Sequence, residues 1–190
     1  MRILLLGGTF NPVHWGHLVL AEELREEFAY DRVLLVPAAR PPHKEALGDP
    51  GAADRLAMLR LACDGNPAFS VEPCELGRPG LSYTVDTVRS LPARYAMEGK
   101  PGLVLGDDLV AGFPSWREPE ALAALADLIV ARRSGQSFDL RYPHRKASNR
   151  LIPLSSSEIR ARLAEGRSVR YLLPEAVRAY ILEKGLYGAR

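Results

Sequence analysis

The sequence predicts an α/β fold, a doubly wound parallel sheet carrying a small C-terminal helical part. Three observations predict it. Short continuous apolar runs recur at residues 2–6, 32–37, 103–105 and 128–132, the pattern of strands buried on both faces. Segments with helical spacing lie between them. The first run ends in Gly7-Gly8 just before an amphipathic stretch, the order of a βαβ unit that opens on a ligand-binding turn.

Each element follows in order. Residues 2–6 read as the first strand. Residues 16–29 place Leu20, Leu24 and Phe28 on one helical face, with Glu and Arg between. Residues 32–37 (RVLLVP) give the second strand, 53–64 a helix, and 69–76 (FSVEPCEL) an extended segment. Residues 84–97 read as a helix despite Pro92, and 103–105 as a strand running into Gly106-Asp107-Asp108. A helix over 118–126 precedes a strand over 128–132. Residues 134–150 are polar and irregular and read as loop, and two helices close the chain at about 157–165 and 175–184. A chain of 190 residues suits one domain, 1–190, with 151–190 as a C-terminal helical subdomain.

Composition narrows the function. Hydrophobic residues make up 47% and charged residues 25%, enough apolar material for a full core. A net charge of +2 gives no broad electrostatic grip on nucleic acid or membrane. The N-terminal apolar run stops too early for a secretory signal, and no stretch approaches the ~20 apolar residues of a membrane span. The expected compartment is the cytoplasm. Cys63 and Cys74 show no metal spacing and read as reduced core residues.

The chemistry concentrates in residues 7–17, GGTFNPVHWGH. This loop lies between a buried strand and a helix, where free amides and the helix dipole favour an anion. It matches neither the dinucleotide fingerprint nor a Walker loop, which needs a lysine. It offers His14 and His17, three apart and so on one helical face, able to donate to phosphate oxygens. Half of a zinc site is the competing reading, but no third ligand lies nearby in sequence, and no resident metal is expected.

The run GGTFNPVHWGHL resembles the GGTFDPxHxGHL signature of the nicotinate-nucleotide adenylyltransferases, nucleotidylyltransferases with an HxGH motif and a Rossmann-like fold. Asn11 stands where that pattern has Asp. Further resemblances follow in order: PPHK at 41–44, SYTVDT at 82–87, GDD at 106–108 for GxD, PSW at 114–116 for PxW, RRSG at 132–135 for RRPG, and SSSEIR at 155–160 for SSTxIR. Independently of the resemblance, Ser82 and Thr84 read as helix caps. Arg160, in a first helical turn, has no dipole reason to sit there.

The resemblance implies roles residue by residue. Gly8, Thr9, Phe10, His14, His17, Gly106, Asp108, Ser156, Ser157 and Arg160 would bind ATP. Tyr83, Thr84, Asp108, Trp116 and Arg133 would bind the pyridine nucleotide, with Trp116 stacking on its ring. His14, His17, Lys44 and Arg160 would carry catalysis by gripping the triphosphate and offsetting charge on the reacting oxygens. Asp108, rather than Asp107, is the acid matching GxD. The reaction implied is transfer of the adenylyl group of ATP to nicotinate mononucleotide with release of pyrophosphate, Mg²⁺ arriving on ATP. Nicotinamide mononucleotide or another phosphorylated acceptor, or a non-catalytic nucleotide-binding regulator, are the rival readings. A homo-oligomer is left open.

Overall fold

Six parallel strands form one sheet in the order β3-β2-β1-β4-β5-β6 in the computed structural model, which describes residues 1–39, 49–78 and 80–189. The strands are β1 (Ile3–Gly8), β2 (Arg32–Pro37), β3 (Phe69–Val71), β4 (Gly102–Gly106), β5 (Asp127–Ala131) and β6 (His144–Lys146). The helices are α1 (Trp15–Glu27), α2 (Ala52–Cys63), α3 (Thr84–Ser90), α4 (Pro119–Leu125), α5 (Ser156–Ala164) and α6 (Glu175–Lys184). The chain winds outward from β1 to β3, returns to β4 beside β1, and winds outward the other way. The direction therefore reverses between β1 and β4. In such sheets the crevice beyond the carboxyl ends of those two strands is where ligands bind.

Strand periodicity sorts the apolar side chains into two cores. Leu4, Leu6, Val33, Leu35, Val104 and Ile129 face the core shared with α1, α2, α5 and α6. Ile3, Leu5, Leu34, Val36, Leu103, Leu105, Leu128 and Val130 face the other, covered by α3, α4 and the 3₁₀ segment Asp107–Ser115. Both faces are buried, so the strands read as unbroken apolar runs rather than alternating ones.

Four expectations are corrected. The strand expected over 69–76 is only Phe69–Val71, since Pro73 has no N–H for a ladder. The helix expected over 84–97 stops at Ser90 and passes into a 3₁₀ turn, Leu91–Ala93, because Pro92 cannot bond back one turn and its ring crowds the preceding carbonyls. Residues 134–150, read as loop, contain β6, a polar edge strand whose exposed Arg145 and Lys146 hide the apolar signal. Neither Ser82 nor Thr84 caps α3. The cap position is Tyr83, without a side-chain bond, and Ser82 Oγ donates to the Glu75 carbonyl at 3.3 Å.

Candidate active site

The loop after β1 is shaped by a buried ring. His14 occupies the cap position of α1 in extended backbone and is only 4% exposed. Its imidazole stacks on His17 with ring centroids 3.7 Å apart, and His17 meets the buried Phe10 edge-on at 5.0 Å. Gly16 makes this possible: a Cβ there would lie 3.0 Å from His14 Nδ1. The glycine between the two histidines thus admits the ring rather than turning the chain.

Burial, aided by the positive charge of Arg133, lowers the His14 pKa to about 4. His14 is therefore neutral at pH 7. Its Nδ1 is buried without a hydrogen-bond partner. A bare acceptor there costs less than a stranded N–H, which puts the proton on Nε2. His17 Nδ1 accepts from the His14 backbone N–H at 3.3 Å, so its neutral form also carries the proton on Nε2.

The lowered His14 pKa has a consequence for stability. Its folded pKa lies below the unfolded value of 6.5, so its contribution is complete above about pH 6.5 and is lost as pH falls toward about 4. The full loss is roughly 3 kcal/mol at about 1.4 kcal/mol per pKa unit. Urea titrations of the unliganded protein from pH 7 to 4 should show this decline, and His14→Asn should flatten it. An identical decline in the variant would assign the effect to other groups.

A cleft of about 300 Å³ opens beside these rings, lined by His14, Gly16, His17, Asp108, Arg132, Arg133, Ser134, Asn149, Arg150, Ser155 and Glu158 among others. Three arginines and two histidines share this lining with two acids, Asp108 and Glu158, a donor-rich wall suited to phosphate oxygens, although the Arg150 guanidinium pairs with Glu23 of α1. Asp108 lies 3.5 Å from Arg133. Asn149, which the sequence did not single out, accepts from the Arg132 N–H and donates to the Arg132 and Arg150 carbonyls. It fixes the backbone carrying two of the three arginines.

Not every expected residue lines this cleft. Arg160 is not in the lining but reaches the same loop: it donates to the Asn11 carbonyl at 2.7 Å and to Ser157 Oγ at 3.2 Å. Ser156 Oγ donates to the Pro12 carbonyl at 2.8 Å, and Ser155 caps α5. Gly8 ends β1, and the Thr9 carbonyl accepts from Arg55. Tyr83, Thr84 and Trp116 also lie outside the cleft lining. Trp116 is half-buried against Phe113, centroids 5.2 Å apart, and Arg117 covers the Tyr83 ring at 4.6 Å. Lys44 and the PPHK run lie outside the described residues.

Asn11 has a partner of its own. Its Oδ1 accepts from the Tyr187 hydroxyl at 2.6 Å, across 176 residues. Burial holds the Tyr187 phenol above its usual range, so it remains a donor. The amide oxygen needs no negative charge to accept that bond. Asn11 therefore holds the loop in a neutral hydrogen bond.

Fold and site together define a nucleotidylyltransferase, a doubly wound sheet with a cationic cleft and paired histidines at the first switch-point loop. The family model described as cytidylyltransferase-like matches residues 5–162. A protein of Thermomicrobium roseum named a probable nicotinate-nucleotide adenylyltransferase is 42% identical over 98% of this chain and 91% of its own length. One of the same name from Borrelia garinii subsp. bavariensis is 39% identical over 98% of this chain and 95% of its own. Among solved structures, the Plasmodium falciparum nicotinic acid mononucleotide adenylyltransferase complexed with NaAD superimposes with a TM-score of 0.78 at 18% identity, covering 100% of this chain and 98% of the other; it supports the fold. The chain belongs to the cytidylyltransferase-like family and, within it, to the nicotinate-nucleotide adenylyltransferases.

Proposed function

We propose that the chain transfers the adenylyl group of ATP to nicotinate mononucleotide, giving nicotinate adenine dinucleotide and pyrophosphate. The observation that carries this reading is the cleft at the β1/β4 switch point, where His14 and His17 stack beside Arg132, Arg133 and Arg150. The 5′-phosphate of the mononucleotide attacks the α-phosphorus of ATP, a bond to that phosphate forms, and the bond to pyrophosphate breaks. Such a step needs alignment and charge neutralisation rather than a protein nucleophile. The Nε2–H groups of His14 and His17 donate to the triphosphate, Arg132 offsets the charge that builds on the leaving oxygens, and Arg133 meets the phosphate of the mononucleotide.

Arg160, Ser156 and Ser157 act in this reading by shaping the loop, with Arg160 and Ser156 holding Asn11 and Pro12. Lys44 is the further cation proposed for the phosphates. Tyr83, Thr84 and Trp116 are proposed for the pyridine end. Mg²⁺ accompanies ATP and neutralises phosphate charge when bound. Asp108 and Glu158 are the carboxylates of the cleft, and Asp108 already faces Arg133, so the lining suits a phosphate-borne ion better than a protein-held one. Residues 1–190 act as one domain. The helical part 151–190 shares the first core through Ile159, Leu163, Val177 and Ile181. The buried free thiols of Cys63 and Cys74 suit the reducing cytoplasm.

The test offers purified protein ATP and Mg²⁺ with nicotinate or nicotinamide mononucleotide in turn, reading pyrophosphate and the mass of the dinucleotide. Nicotinate adenine dinucleotide should form with the higher kcat/KM. Preference for the nicotinamide substrate would overturn the acceptor assignment, and no pyrophosphate with either would overturn the transferase reading.

A further inference from the structure

Asp108 alone matches the GxD pattern, yet its neighbour Asp107 does something different. Asp108 is exposed at the cleft. Asp107 is 5% exposed and faces no cation at hydrogen-bond distance among the described residues. Its Oδ1 accepts from the backbone N–H groups of Arg133 and Ser134 at 3.0 and 2.8 Å and from Ser134 Oγ at 3.0 Å. Its Oδ2 accepts from the Gly135 N–H at 2.8 Å. Successive amides of the turn after β5 thus wrap one carboxylate, the arrangement that backbone nests offer to anions. Burial alone would raise this carboxyl, but the donors together hold it below its usual range.

The turn so held carries Arg133. The Arg133 side chain packs over Gly106, where a Cβ would lie 2.7 Å from Arg133 Cδ, and its guanidinium faces Asp108 at the cleft. A buried negative charge beside a phosphate-binding wall works against anion binding. Its effect on geometry must outweigh that cost. Ser134 supports the same conclusion: the resembling pattern has proline there, which would lack both the N–H and the hydroxyl that Asp107 uses.

We propose that Asp107 is a positioning residue, which with Ser134 ties the exit of β4 to the exit of β5 and so aims Arg133 at a phosphate of the mononucleotide. This rests on the reading that Arg133 meets that substrate. Without the carboxylate the turn is free to shift, and Arg133 no longer waits in its binding orientation.

The experiment is a double-mutant cycle in steady-state kinetics, with thermal midpoints recorded alongside. Arg133→Ala should raise the KM for nicotinate mononucleotide about tenfold, the loss of one charge-assisted contact. Asp107→Asn should raise the same KM severalfold with kcat little changed, and Ser134→Ala, which removes only the hydroxyl, should shift it less in the same direction. In Asp107→Asn/Arg133→Ala the Asp107 change should add nothing further to KM, because the group it aims is gone. Additive effects, or an unchanged KM in both Asp107→Asn and Ser134→Ala, would overturn the positioning role while leaving Arg133 in the site. An unchanged KM in Arg133→Ala would overturn the Arg133 reading and the proposal with it.

Discussion

Replacing His17 by alanine is expected to lower turnover at least about a hundredfold while the protein stays folded, the usual cost of removing one donor from a developing charge. The geometry makes His17 the more informative of the two histidines. His14 is buried and its loss disturbs packing, whereas His17 is only half-buried, on the first turn of α1. Its structural contacts include a 3.3 Å bond from the His14 N–H and ring contacts with His14 and Phe10. Losing the bond costs about 1 kcal/mol, as for a helix cap, far below what would unfold a domain. Pyrophosphate release should therefore collapse while the urea midpoint moves little. His17→Gln keeps an N–H near the Nε2 position and should recover part of the rate. Near-normal turnover in His17→Ala would remove this imidazole from the mechanism.

The parts legible in the sequence share one property: their signal is local. β1, β2, β4 and β5 are apolar runs, α1 and α2 carry helical spacing, and GGTFNPVHWGH announces an anion loop by its glycines and histidines. What was missed depends on partners distant in sequence. β6 is polar because it forms an edge, and only its pairing with β5 makes it a strand. The GxD pattern singles out Asp108 and gives Asp107 no role until the turn 133–135 folds over it. Asn149 is an ordinary loop residue until it bridges Arg132 and Arg150. Arg160 looked like a cation awaiting a phosphate. The structure supplies protein acceptors, Asn11 and Ser157, that sequence could not reveal.

Arg55 is the strongest case of this kind and carries the largest expected effect on stability. In sequence it interrupts an apolar stripe of α2 formed with Met58, Leu59 and Cys63, which was the one available hint. In the fold it is 1% exposed. Its guanidinium donates to the carbonyls of Thr9 at 2.9 Å, Ala38 at 2.8 Å and Ala39 at 3.2 Å, and to Asp49 at 3.1 Å. It therefore fastens the phosphate loop after β1 to the chain leaving β2. Arg55→Ala strips the donors from three carbonyls, leaves Asp49 with the Gly51 N–H but without its cation, and opens a void. Breaking a buried pair from one side costs about 3–5 kcal/mol, which at this chain length lowers the thermal midpoint by roughly 10 °C. Arg55→Met restores volume but not donors, so it should recover only a minor share. Asp49→Asn, whose partner keeps its three carbonyls, should cost much less than either. Because Thr9 is released along with the core, Arg55→Met should also lower kcat/KM at temperatures where it remains folded. If Arg55→Met were as stable as the parent, apolar filling rather than the hydrogen-bonded charge would be what α2 contributes at this position, and the loop would have to be held by its other ties, among them Asn11 to Tyr187, Arg160 to Asn11 and Ser156 to Pro12.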